Sequence, residues 1–211
     1  MRSLLAVVLV LLSAGAGAQD GVVPARGTFL VSTSAIDKGP FHRSVVLLLK
    51  DDDQGSLGLI VNRRTDMPLS KALPDLDAGE TSPPLFFGGP VALEGLVVLF
   101  RSQAPPSGAE EVLEGLYYSG ERRVLEVLFA RESSHGELRM FVGHSGWGPG
   151  QLADELRNGA CEVQPADIFT LFRTEPDWLW EHLAEGGRTV ARGHGPMLPP
   201  VRAPAASRPS E

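Results

Sequence analysis

The chain has 211 residues, enough for one large domain with a sizeable core, and at 43% hydrophobic and 21% charged residues its composition is globular. Nineteen Lys and Arg against 26 Asp and Glu leave a net charge of −7, which argues against a protein built to neutralise nucleic-acid phosphates. A single cysteine excludes an intramolecular disulfide framework and a Cys-rich zinc site.

Residues 1–18 have the three-part layout of a secretory signal peptide. Arg2 precedes an apolar run from Leu4 to Leu12, and small residues end at Ala16-Gly17-Ala18. The run is too short to cross a hydrocarbon core about 30 Å thick, which takes roughly 20 residues. Cleavage before Gln19 is therefore expected, with a periplasmic or secreted product and no membrane span after cleavage. A start codon assigned too far upstream would instead leave the protein cytoplasmic. Residues 19–192 form the domain, and residues 193–211, rich in Pro, Ala and Ser, read as a disordered tail.

Gly27 to Ser32 and Ser44 to Lys50 are near-continuous apolar runs, the mark of strands covered on both faces. Asp51 to Ser56 is expected to turn the chain into a strand over Leu57 to Asn62, a hairpin longer than the two-residue type. The aspartates do not make an EF-hand loop, because Ser56 and Asn62 stand where Gly and Glu are needed. Pro68 to Leu76 predicts a short helix interrupted by Pro74. Leu85 to Val91 is a strand running into a tight Gly88-Gly89-Pro90 turn, Leu96 to Phe100 is the next strand, and Ser102 to Glu110 is loop. Val124 to Arg131 suits a helix or a buried strand, whereas Glu137 to Gly143 alternates as a strand. Gln151 to Asn158 is helical and ends at Gly159, and Ala166 to Glu185 is helical with a break at Glu175-Pro176. Phe169, Phe172, Trp178, Leu179 and Leu183 are its expected buried stripe. Hairpins mixed with helices make the class α+β.

The densest motif runs from Gly143 to Gln151 (GHSGWGPGQ), between a predicted strand and a predicted helix. A nucleophile elbow needs Gly-x-Ser-x-Gly, and here Trp147 occupies the fifth position. His144 and Ser145 are neighbours, so in an extended chain they point to opposite sides and cannot act as base and nucleophile. The glycines at 146, 148 and 150 do not make a dinucleotide fingerprint, and Asp154 and Glu155 disfavour an anion at the helix start. Trp147 is expected to be a packed anchor on a glycine-permitted turn. The five histidines lack metal-ligand spacing, so neither a metal nor a cofactor is implied, and Cys161 reads as a small buried side chain.

The series Gly27-Thr28-Phe29-Leu30-Val31-Ser32, Phe41-His42-Arg43-Ser44-Val45, Gly58-Leu59-Ile60-Val61-Asn62-Arg63, Phe87-Gly88-Gly89-Pro90-Val91 and Gly146-Trp147-Gly148-Pro149-Gly150-Gln151-Leu152, with Glu155, resembles the AlgH/YqgE family of bacterial proteins. The resemblance implies an α+β fold, with a bifurcated, largely antiparallel sheet forming a pseudo-barrel flanked by helices. One branch of that family is labelled a transcriptional regulator of alginate production, but the family fold has no recognised DNA-binding motif, and this chain has no helix-turn-helix signature. Two departures stand out: a signal-like leader where family members look cytoplasmic, and His144 where the family usually has Tyr.

The leading functional reading is a non-enzymatic binding or regulatory domain for an unidentified protein or small molecule, with no nucleic acid expected. Its ligand-cleft candidates are Asn62, Arg63, Gly88, Gly89, Pro90, His144, Ser145, Gly146, Trp147, Gly148 and Gln151. The alternative is a hydrolase using Ser145 or His144. On the export reading, the mature protein purified from its source begins at or near Gln19 by N-terminal sequencing. An intact Met1 in the cytosolic fraction would contradict it.

Overall fold

A computed structural model describes residues 22–75, 83–130 and 137–190, with side chains followed to residue 186. The expected leader and the tail from residue 193 lie outside the described residues. Nine strands form one sheet: β1 (Thr28–Ser32), β2 (Val45–Asp52), β3 (Gly55–Ile60), β4 (Leu85–Phe87), β5 (Val91–Arg101), β6 (Glu110–Leu113), β7 (Leu116–Ser119), β8 (Leu138–Trp147) and β9 (Cys161–Pro165). The helices are α1 (Leu69–Ala72), α2 (Arg122–Ala130), α3 (Gln151–Arg157), α4 (Ile168–Arg173) and α5 (Pro176–Val190). The α+β class expected from the sequence is what the structure shows.

The strand order is β6-β7-β5-β8-β3-β2-β1-β9, and every pair along it is antiparallel. β4 lies off this path and runs parallel to β8 through Leu85–Met140, Phe86–Phe141 and Phe87–Val142. The other side of β4 meets the segment after β3, where Arg64 bridges Phe86 and the Phe87 amide donates to the Arg63 carbonyl at 2.9 Å. β3 pairs with β8 only over Ser145–Trp147. The sheet therefore forks, with β4 filling the gap between β3 and the first half of β8. It does not close into a barrel.

Both faces are covered, which explains the near-continuous apolar runs. Phe29, Val31, Val45, Leu47, Leu49, Leu59, Phe86, Leu99 and Phe141 share one core with Leu171 of α4 and Leu179 of α5. On the opposite face, α2 covers Val98, Phe100 and Met140, and α3 packs Leu152 on Leu30, Val46, Leu48 and Ile60. Alternation within each strand delivers successive residues to these separate cores.

Several sequence expectations change. The β2–β3 hairpin has a two-residue loop, Asp53-Gln54, because pairing continues to Asp52–Gly55. The Asp52 carboxylate accepts from the Gln54 amide at 2.8 Å and closes the turn locally. The ambiguous segment after residue 121 is helix α2, amphipathic with Val124, Leu125 and Leu128 buried. β6 and β7 form a hairpin that the sequence reading did not assign. The predicted stripe is corrected at two positions: Phe169 is 72% exposed and Trp178 is 67% exposed. The break between Arg173 and Pro176 starts a new helix with its own rotation, so one continuous stripe fails. Leu179 is buried as expected and Phe172 and Leu183 pack against the same core, while Leu171 and Trp180, which the stripe omitted, take the inward positions.

Candidate functional site

The Gly143–Trp147 segment is not a connection after a strand but the second half of β8. Its partner is the Gly88-Gly89-Pro90 turn between β4 and β5, and the two meet where the sheet forks. The Gly88 amide donates to the Val142 carbonyl at 2.9 Å. The Gly88 carbonyl accepts from the Ile60 amide at 2.8 Å and from the Ser145 hydroxyl at 3.1 Å. One residue thus ties β8 to the end of β3. The backbones approach so closely that a side chain does not fit: a β-carbon on Gly89 would collide with the His144 carbonyl and the Ser145 amide, all main-chain atoms. Gly143 faces the same junction, with φ of +66° in the left-handed region and the Gly89 carbonyl where its β-carbon would be.

Ser145 is completely buried and hydrogen-bonded to main chain. His144 is half-buried and stands across from Val91 in the β5–β8 ladder. As neighbours along a strand the two point apart, as expected. Gly146 is exposed, and Trp147 is only 8% exposed. The indole packs on Phe41 with ring centroids 6.1 Å apart and donates from Nε1 to Glu155 at 2.9 Å. Gln151 completes this turn. Its side-chain oxygen accepts from the Gly148 amide at 3.1 Å, and its Nε2 donates to the other Glu155 oxygen at 3.0 Å. Glu155 therefore serves Trp147 and Gln151, and its charge makes the start of α3 a poor anion site.

The Asn62 and Arg63 main chain adjoins the fork, but their side chains turn away from it and brace the Phe41–Arg43 turn. The Asn62 oxygen accepts from the Val45 amide at 2.9 Å, its Nδ2 donates to the Arg43 carbonyl at 3.0 Å, and Arg63 donates to the His42 carbonyl at 2.9 Å. Arg43 has a positive φ of 51°, lies 4.7 Å over the Trp180 ring and pairs with Glu181. The Phe41–Trp147 contact links this turn to the Trp147 turn. The candidates thus form three neighbouring structural joints: the fork with Gly88, Gly89, Pro90 and Ser145, the Trp147–Gln151 turn, and the Asn62–Arg63 brace. Three clefts among the described residues have other linings: Val31 to Ser34 with Trp180; Arg101 and Glu137 with α4; and Thr65 to Ser70 with Pro83 to Leu85.

The sequence reading did not single out Arg139. It is 7% exposed on β8, on the same face as Phe141. Its guanidinium donates to the Val61 carbonyl at 3.1 Å and lies 5.1 Å over the Phe86 ring and 5.3 Å over the Phe172 ring. Burial, then the nearby Arg64, pull its pKa down to about 10, against an opposing pull from Glu175. The alternation of Leu138-Arg139-Met140-Phe141 carried this signal, since it places a charge on an inward position. Cys161 is half-buried, and burial, then Glu155, push its thiol up to about 12, which leaves it inert at neutral pH. No group of three or more His, Cys, Asp or Glu among the described residues could hold a metal ion.

A model of the AlgH-like family matches residues 29–188. A UPF0301 protein of Thioalkalivibrio sulfidiphilus is 32% identical over 160 residues, covering 74% of this chain and 86% of the relative. A UPF0301 protein of Streptomyces coelicolor is 36% identical over 165 residues, covering 74% and 83%. Two solved structures share the fold at 25% identity. The crystal structure of protein DIP2367 from Corynebacterium diphtheriae has a TM-score of 0.66 and covers 79% of this chain and 88% of that one. The solution structure of the AlgH protein from Pseudomonas aeruginosa has a TM-score of 0.64 and covers 82% and 95%.

Two substitutions separate anchor from ornament in the Gly143–Gln151 motif. Trp147→Ala removes a packed indole and is expected to cost about 3–5 kcal/mol. Ser145→Ala removes one of two donors to a carbonyl that keeps its Ile60 bond, and is expected to cost about 1 kcal/mol. Urea denaturation checks both, and equal losses would contradict this division.

Proposed function

The chain belongs to the AlgH-like family, and from that premise we propose that it is a non-catalytic binding or regulatory domain whose glycine-rich turns are scaffold. The observation that carries this reading is the Ser145 hydroxyl, fully buried and donated to the Gly88 carbonyl. A serine nucleophile needs a base within hydrogen-bond reach and an open approach for the carbonyl it attacks. The Ser145 hydroxyl donates its hydrogen bond to main chain, and the adjacent His144 points to the other side of the strand. The remaining polar candidates, Asn62, Arg63 and Gln151, are likewise spent on holding turns.

The reading includes the export expected from residues 1–18, so the domain would meet its ligand outside the cytoplasm. The leader's composition supports this, and the acidic chain fits a partner other than nucleic acid. No helix among the described residues is long and apolar enough to cross a membrane.

A fluorophosphonate probe tests the non-catalytic reading. Incubated with the folded full chain and followed by intact-mass spectrometry, it is expected to leave the mass unchanged. Stoichiometric labelling mapped to Ser145 would replace the binding reading with the hydrolase reading.

A further inference from the structure

The cleft between α4 and the ends of β5 and β8 combines features that the glycine motif lacks. It is lined by Arg101, Glu137, Ile168, Phe169, Phe172 and Arg173, with a volume of about 280 Å³. Arg101 and Glu137 pair with each other across its strand side. Among the described residues no carboxylate pairs with Arg173, which sits in the last turn of α4. Phe169 is 72% exposed, a large aromatic face that the fold does not use. Phe172 lines the cleft and also stacks on the buried Arg139 guanidinium, 5.3 Å from its ring.

From this arrangement we propose that the cleft binds a small aromatic monocarboxylate, with Arg173 taking the carboxylate and Phe169 and Phe172 holding the ring. The proposal rests on the binding-domain reading and gives it a site and a ligand class. Charge sets the anion. Arg139 has no ion-pairing carboxylate among the described residues, and the nearby Glu175 is already engaged by Arg64 at 3.3 Å. Burial has lowered the Arg139 pKa, the mark of a cation short of compensation, and a negative charge near Phe172 would supply it. Glu137 on the rim favours a monoanion over a dianion, because it repels the second charge. The two phenylalanines set the ring, since aromatic faces stack on planar groups and Arg adds its own planar fork for a carboxylate. Size sets the limit: pockets for drug-sized ligands run from about 300 Å³ upward, so this one suits one or two rings.

The test titrates the 15N-labelled full chain with 2-naphthoate and, separately, with neutral 2-naphthalenemethanol. Naphthoate is expected to shift the amides of residues 168–173 and Glu137 in a saturable manner, and the alcohol is expected to bind at least tenfold more weakly. Arg173→Gln and Phe169→Ala change exposed side chains, so their spectra should stay dispersed while naphthoate affinity falls at least fivefold in each. Equal binding of acid and alcohol, shifts centred elsewhere, or an unaffected Arg173→Gln variant would overturn the proposal. Mass spectrometry of small molecules retained by the natively purified protein separates the two levels of the claim. A retained compound that survives Arg173→Gln sinks this cleft but keeps the binding domain, whereas labelling of Ser145 by the fluorophosphonate would sink the binding domain itself.

Discussion

Three backbone segments meet at Gly88, and the rest of the structure depends on their being allowed to touch. The Gly88 amide bonds β8, while its carbonyl collects the Ile60 amide from the end of β3 and the Ser145 hydroxyl from the second half of β8. Each is an ordinary hydrogen bond worth about 0.5–1.5 kcal/mol net. Their weight comes from the alternative: in a fully covered sheet, unpaired polar groups at the fork would cost about 1–3 kcal/mol each. Only main chain without β-carbons lets β4 enter the gap. Once β4 is there, Phe86 reaches the inner core beside Phe141, at 5.4 Å between ring centroids, and Leu85 reaches the opposite face under α1 and α2.

Much of this was legible in the sequence, and the failures have physical causes. The long apolar runs of β1 and β2 declared a sheet buried on both faces, and Gly159 marked the end of α3. Trp147 was readable as an anchor because a large apolar side chain among glycines has only a core to go to. The β6–β7 hairpin escaped because Glu110, Glu111 and Glu114 mask the alternation of Val112, Leu116 and Tyr118, which tertiary burial reveals. The stripe failed at Phe169 because α4 turns Leu171 inward instead, and at Trp178 because helix phase restarts after the break at Glu175-Pro176. The motif at 143–151 was found, but its role depends on Gly88, 57 residues away from Ser145, and no local pattern contains that contact.

The same division separates scaffold from surface. Residues that make the chain recognisable as AlgH-like hold backbone together: Asn62 and Arg63 brace a turn, Gln151 and Glu155 secure Trp147, and the glycines admit β4. Among the described residues, Phe169 and Arg173 of α4 carry no such internal task.

The most direct test of the scaffold account compares Gly89→Ala with Gly159→Ala by urea denaturation. Both glycines have positive φ, but a β-carbon at Gly159 meets open space, whereas at Gly89 it meets the main chain of His144 and Ser145. In the left-handed α region, where Gly159 sits at φ 72°, dihedral strain is worth about 1–2 kcal/mol, so Gly159→Ala is expected to lose no more than that. Gly89→Ala is expected to lose more than about 4 kcal/mol, the range reached only when packing or buried networks break, or not to fold at all. Equal, small losses at the two positions would contradict the claim that the fork depends on bare backbone.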